Sequence, residues 1–158
     1  MNNLNYPLLS ILIPTVEGRE KFFNHITTKL TRQINQIGID KVELLFYKDK
    51  RAEHTTGAKR NTLLEQSTGA FVVFVDDDDD VSHDYVERII NMIESNPDLD
   101  AIGINGMYTS GNEQKPFETS IRWNWETTNG FYTRYINHIS VIKREHALAI
   151  GFPDVTIG

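Results

Sequence analysis

The run Phe71-Val72-Val73-Phe74-Val75 constrains the fold more than any other stretch of the chain. Gly69 stands ahead of it, and five consecutive aspartates, Asp76 to Asp80, follow directly behind. Five β-branched or aromatic residues bounded by a glycine read as a buried strand. Carboxylates stacked at the mouth of such a strand repel one another and stabilise nothing by themselves. A solvated acidic turn is the plain reading of a charge run. The sharper reading puts a divalent cation among the carboxylates, because hard cations such as Mg²⁺ are held by one or two carboxylates plus substrate phosphates.

Apolar spacing on both sides of this junction alternates between two periods. Leu8 to Ile13 forms a first strand closed by Pro14. After Gly18, the residues Phe22, Phe23, Ile26, Leu30, Ile34 and Ile37 recur at helical spacing, and Gly38 stops them. Val42 to Tyr47 reads as a second strand, Gly57 to Gln66 as a helix, and Phe71 to Val75 as the third strand. Ser82 is placed as the N-cap of a helix whose stripe is Tyr85, Val86, Ile89, Ile90 and Ile93, ended by Asn96-Pro97. Ala101 to Ile104 makes a fourth strand. The alternation predicts an α/β fold with a largely parallel sheet and right-handed crossovers.

Beyond residue 107 the pattern weakens. Gly106 to Pro116 reads as a polar loop, and Arg122 to Glu126 and Phe131 to Tyr135 as extended aromatic segments. His138 to Ile142 is assigned to a strand and Lys143 to Ile150 to a short helix stopped by Gly151. Trp123 and Trp125 alternate as one face of a strand would, which favours core or interface over stacking on an acceptor sugar.

One domain is expected from 158 residues. The formal charge is −6, of which the aspartate run supplies most, so no basic face for nucleic acid is present. The absence of cysteine excludes disulfides and thiolate metal sites. The histidines, His25, His54, His83, His138 and His146, show no metal-ligand spacing, and a structural role is expected for His138. No apolar run approaches the roughly 18 residues of a membrane span. Met1 to Asn5 lacks the features of a signal peptide. A cytoplasmic location is the expectation.

In open α/β sheets, ligands bind outside the carboxyl ends of the strands. Three unusual segments fall there: Pro14 to Arg19, Tyr47 to Arg51, and Asp76 to Asp80. Lys59-Arg60-Asn61 on the following helix approaches the same edge, where cations hold phosphate or brace a carboxylate. Together they describe a metal-dependent site for a nucleoside diphosphate.

These pieces, in this order and spacing, resemble the metal-dependent GT-A glycosyltransferases, in particular the inverting family 2. The resemblance rests on Leu9-Ser10-Ile11-Leu12-Ile13-Pro14-Thr15, on Gly57-Ala58-Lys59-Arg60-Asn61, and on Ser67-Thr68-Gly69-Ala70 running into the aspartates. It continues through Asp84-Tyr85-Val86 and returns at His138 to Arg144 and Gly151-Phe152-Pro153. It implies a GT-A fold, a Rossmann-like three-layer α/β/α sandwich with a largely parallel central sheet. The implied reaction transfers a sugar from a nucleotide-diphosphate sugar, by family a UDP-sugar, to an acceptor hydroxyl on a glycan, protein or lipid. Mn²⁺ or Mg²⁺ would assist. Pro14 and Thr15 would line the nucleoside pocket, Glu17 would touch base or ribose, and Asp49 would hydrogen-bond the base. Lys59 and Arg60 would lie by the nucleotide, with Arg60 bracing the aspartates. Asp76 and Asp77 would face the donor, and Asp76 and Asp78 would form the Asp-x-Asp metal pair.

Two departures are visible: Val16-Glu17 stands where the family often has Tyr-Asn, and Asp49 is followed by basic residues in place of a second aspartate. The family's general base follows the Gly-Phe segment, and Asp154 lies too near that segment to match it. The sequence therefore predicts a donor-binding part of a longer enzyme, truncated before its base, with exposed apolar surface through which it would self-associate. Rival readings are a non-catalytic module of the same fold and a haloacid-dehalogenase-like phosphotransferase, whose Asp-x-Asp-x-Thr/Val signature Asp77, Asp79 and Val81 fit literally.

Overall fold

A computed structural model describes residues 7–51, 53–128 and 130–156. The central strand β1 (Leu9–Val16) is buried along its length except at Val16. It lies between β2 (Val42–Asp49) and β3 (Phe71–Phe74), both parallel to it, with Leu9 level with Val42 and with Phe71. A strand covered on both faces must be apolar on both, which is why Leu9 to Ile13 reads as a continuous run.

Helices follow each strand: α1 (Glu20–Ile37) after β1, α2 (Thr56–Gln66) after β2 and α3 (Tyr85–Ser95) after β3. The short β4 (Ala101–Ile102) then adds an edge. Near the chain's end β9 (Val141–Lys143) inserts between β3 and β4, antiparallel to both, before α4 (Arg144–Ile150). The sheet order is β2-β1-β3-β9-β4, so four of five strands share one direction.

Ile26, Leu30 and Ile34 of α1 and Val86, Ile89, Ile90 and Ile93 of α3 pack on one face of the sheet, against Leu9, Ile11, Ile13, Val73 and Val75. Leu63 and Leu64 of α2, with Ala147 of α4 and Phe152, cover Leu12, Val72 and Phe74 on the other. Each fully buried Leu or Ile contributes about 1.5–3 kcal/mol. The three-layer α/β/α arrangement is the expected one.

Four local expectations are corrected. The segment Gly106–Pro116 is not a loop: β5 (Asn105–Ser110) and β6 (Glu113–Thr119) form a hairpin across the Gly111-Asn112 turn, Gly111 having φ +58°. With β7 (Glu126–Thr128) and β8 (Phe131–Arg134) they build a second sheet of order β5-β6-β8-β7. Strand β5 is exposed throughout, so no buried face imprints an alternating apolar pattern.

Helix α3 starts at Tyr85, and Ser82 does not cap it; the Ser82 hydroxyl donates to Asp84 Oδ1 at 2.7 Å. The free Val86 N–H instead donates to the buried side chain of Gln33 on α1 at 3.0 Å. The last strand begins three residues later than the spacing suggests, because Asn137 to Ser140 turns, Ser140 N–H donating to Asn137 O at 3.0 Å. Trp123 and Trp125 lie ahead of β7, exposed at 38% and 65%, so neither is core.

Candidate functional site

Parallel pairing of β1 with β2 and β3 brings their three carboxyl ends to one edge, with Val16 level with Asp49. A cleft of about 240 Å³ opens there, lined by Pro14, Thr15, Val16, Arg19, Thr56, Lys59, Asp76, Asp77 and Asp78. A cavity of about 260 Å³ near the start of α3 is lined by Gln33, Gln36, Ile37, His83 and Glu87. Gln33 is already spent there on Ser82 O and Val86 N–H, so no convergent charged set faces that space.

The aspartate run does not stack. Asp79 N–H donates to Asp76 O at 3.1 Å, closing a turn that sends the five carboxylates in different directions. Asp76 meets Arg60 Nη2 at 3.2 Å and His138 Nε2 at 3.6 Å. Burial of its carboxyl opposes ionisation, but His138 and Arg60 hold Asp76 below the usual carboxylate range.

Asp77 is buried. Its carboxylate accepts the Thr15 hydroxyl at 2.6 Å and Arg19 Nε at 2.8 and 2.9 Å. Arg19 Nη2 reaches on to Asp78 Oδ2 at 2.9 Å. Asp80 pairs with Lys29 of α1 at 2.6 Å. Partial burial of its carboxyl, with the charges of Asp76 and Asp78, pushes Asp79 up to about 6.

Crowding is thus relieved mainly by a turn and by cations from α1 and α2.

Asp49 is buried at the end of β2, with Lys59 Nζ 3.2 Å from Oδ1, and His54 N–H and Nδ1 at 3.1 and 3.2 Å from Oδ2. Burial works against its charge, yet Lys59 and His54 keep it lowered. Glu17 stands exposed at the rim, outside the cleft lining, its N–H donating to Asp49 O at 2.9 Å.

Arg60 is only 4% exposed. Its guanidinium carbon lies 5.9 Å from the Phe74 ring centroid and 5.6 Å from that of Phe152. Its Nε is buried without a partner among the described residues. The structure therefore brings Pro14, Thr15, Lys59, Asp76, Asp77 and Asp78 to one cleft, with Asp49 and Arg60 bonded to members of that set.

Arg19 and His138 belong to the same group, although the sequence marked neither as a site residue. Arg19 follows Gly18 at the carboxyl end of β1, and that position was its available signal. His138 is turned inward by the Asn137 to Ser140 turn, its carbonyl accepting Phe74 N–H at 3.1 Å.

Among the described residues, the one grouping of three ligand-type side chains within 4.8 Å is Asp49, Glu53 and His54. The Lys59 ammonium already supplies positive charge there. Asp76 and Asp78 offer hard oxygen donors at the cleft, 35% and 55% exposed. That donor chemistry fits Mg²⁺ or Mn²⁺.

The Asp-x-Asp-x-Val register of a phosphotransferase lies after the third strand, with Asp77 turned inward and bonded to Thr15 and Arg19, which does not favour that rival.

The family model described as "Glycosyl transferase family 2" matches residues 27–151. No curated protein sequence matches the chain. Among solved structures, S. aureus TarS 1-349 superposes with a TM-score of 0.58 at 20% identity, covering 92% of this chain and 50% of that one. The same protein in complex with UDP gives 0.60 at 18% identity, with the same coverage. Its complex with UDP-GlcNAc gives 0.54 at 17% identity, covering 92% and 48%. The chain thus spans about half the length of these neighbours, and the GT-A-like fold is common to them. No helix among the described residues is long and apolar enough to cross a membrane.

Proposed function

The chain belongs to glycosyl transferase family 2, and from that premise we propose that its cleft binds the nucleoside diphosphate of a sugar donor, a UDP-sugar, for transfer to an acceptor hydroxyl. The observation that carries this is the meeting, at the carboxyl edge of three parallel strands, of a half-buried carboxylate, Asp76, and an exposed one, Asp78, with Arg19 and Lys59. Ligands of open α/β sheets bind at that edge. The fold neighbour solved with UDP and with UDP-GlcNAc supports the choice of base.

In this reading Pro14, Thr15 and Val16 form the wall against the nucleoside. Lys59 and Arg19 supply cations toward the diphosphate, and Asp49 holds the Lys59 ammonium in place at 3.2 Å. Asp76 and Asp78 would hold a divalent cation, Mn²⁺ or Mg²⁺. When bound, that ion offsets charge on the departing diphosphate. Asp77 orients: it fixes Arg19 from one side while Thr15 holds it from the other. Transfer also needs a base for the acceptor hydroxyl, and none of the residues at this edge is assigned that role.

Calorimetric titration with UDP, GDP and CDP, with and without Mn²⁺, tests the reading. UDP should bind, more tightly with Mn²⁺, and Asp78→Ala should abolish the metal's effect while leaving the fold intact. Failure of all three nucleotides to bind would leave a non-catalytic module of the same fold.

A further inference from the structure

Gly151 to Thr156 has no place in the donor site as described, yet it is fastened to α2 at several points. Asn61 holds the backbone of Phe152 from both sides, donating from Nδ2 to Phe152 O at 2.9 Å and accepting Phe152 N–H on Oδ1 at 2.8 Å. Gly57 N–H donates to Val155 O at 3.1 Å, and the Thr56 hydroxyl donates to Thr156 O at 3.0 Å. Thr55 and Asp154 are hydrogen-bonded through their side chains. Contact at Gly57 is close enough that a Cβ there would lie 1.8 Å from Pro153 O.

The ring so placed lies edge-on to Phe74, with centroids 5.1 Å apart. Between them the two rings contact the Arg60 guanidinium. Among the described residues Arg60 has only Asp76 as an ionic partner, at 3.2 and 3.4 Å, and its Nε has no hydrogen-bond partner there. An extended, flexible side chain with one polar anchor is not fixed by that anchor alone. Its direction is set by the aromatic walls.

We infer that Phe152 is a positioning residue for donor binding, which, clamped by Asn61, holds the Arg60 guanidinium against Asp76 and thereby sets the Asp76 carboxylate facing the cleft. This rests on the donor-binding reading above. The contact works in two ways. Ring quadrupole and cation attract, an effect larger where water is excluded. The ring also occupies the space into which Arg60 would otherwise swing away from Asp76. Phe152 itself touches no donor.

The test is a double-mutant cycle on UDP affinity in the presence of Mn²⁺, read by calorimetry. Phe152→Leu keeps an apolar side chain there but removes the ring's face, and it should weaken UDP binding about tenfold in the Arg60 protein. In an Arg60→Met background the same change should have no effect, and Phe152→Tyr should restore wild-type affinity. Asn61→Ala should reproduce the loss, with the same dependence on Arg60, and serves where Phe152→Leu fails to fold.

Equal weakening in both backgrounds, or none in either with UDP still bound by wild type, overturns the positioning role and leaves the donor reading standing. Wild-type protein that binds no nucleotide overturns the donor reading and this inference with it.

Discussion

Replacing Asp77 and Asp78 one at a time by alanine should separate two neighbours that sequence alone treats alike. The Asp77 side chain is 5% exposed and accepts one bond from Thr15 and several from Arg19. Removing it strands the buried Thr15 hydroxyl, which costs about 1–3 kcal/mol. Loss of the Arg19 contact adds less. That side chain is 36% exposed and retains Asp78 at 2.9 Å, so the screened value of about 0–1 kcal/mol applies.

Asp77→Ala should therefore lose about 2–3 kcal/mol, which for a chain of this size lowers Tm by about 4–12 °C. Asp78 is 55% exposed, and its removal should stay within about 0.5 kcal/mol. Urea unfolding in EDTA, followed by tryptophan fluorescence, gives both numbers without metal linkage. A loss for Asp78→Ala as large as that for Asp77→Ala would refute the division into an internal and a cleft-facing carboxylate, as would a wild-type midpoint for Asp77→Ala.

Gly57→Ala should lower Tm despite alanine's better helix propensity. The new Cβ would meet Pro153 O at 1.8 Å, and overpacking of this kind costs about 1–3 kcal/mol, against about 1 kcal/mol gained in the helix. A rise in Tm would show that the Gly151 to Thr156 segment is not docked. Lys59→Met should destabilise at pH 7, because Asp49's lowered folded pKa contributes stability that is present above the unfolded value and lost as pH falls through the folded one. Without Lys59 burial raises Asp49 instead, so it protonates earlier on acidification. The gap to wild type should then narrow between pH 7 and about pH 4 in urea titrations. Asp79 is the opposite case. Raised to about 6, it contributes stability that is present below the unfolded carboxylate value and lost as pH rises through about 6. Asp79→Asn in EDTA should stabilise at pH 7.5 and do nothing near pH 4; equal effects at both pH values would contradict the assignment.

The three-layer core was legible because each of its elements carries its own signal. Strands β1 and β3 are buried on both faces and read as unbroken apolar runs, while α1 and α3 expose one side and keep a helical stripe. The second sheet was not legible by that rule, since β5 has no buried face. Its available signal was the Gly111-Asn112 dipeptide, a hairpin turn of two residues. In the site, Pro14, Asp49 and the aspartates were found because strand ends are local features. Arg19, His138 and Phe152 were not, because their partners Asp77, Asp76 and Arg60 lie 58, 62 and 92 positions away. Only the pairing of β1 with β3 and the insertion of β9 bring those positions together.

That dependence on topology also explains how five adjacent carboxylates serve different ends. A straight strand would send alternate residues to opposite faces. The turn from Asp76 to Asp79 breaks that alternation, and each product of the break meets a different element: Asp76 meets α2 and the turn before β9, Asp77 and Asp78 meet Arg19 ahead of α1, and Asp80 meets Lys29 within α1. Neutralisation is thereby strongest at the buried Asp77, where an unpaired charge would be costly. At the cleft itself Asp78 is held, among the described residues, by a single arginine contact, which on the proposed reading a divalent ion and a diphosphate would replace without uncovering any buried group. On that reading ligand exchange at this edge would ask for the movement of one side chain, while the scaffold beneath it, fixed by the Thr15–Asp77 hydrogen bond, stays in place.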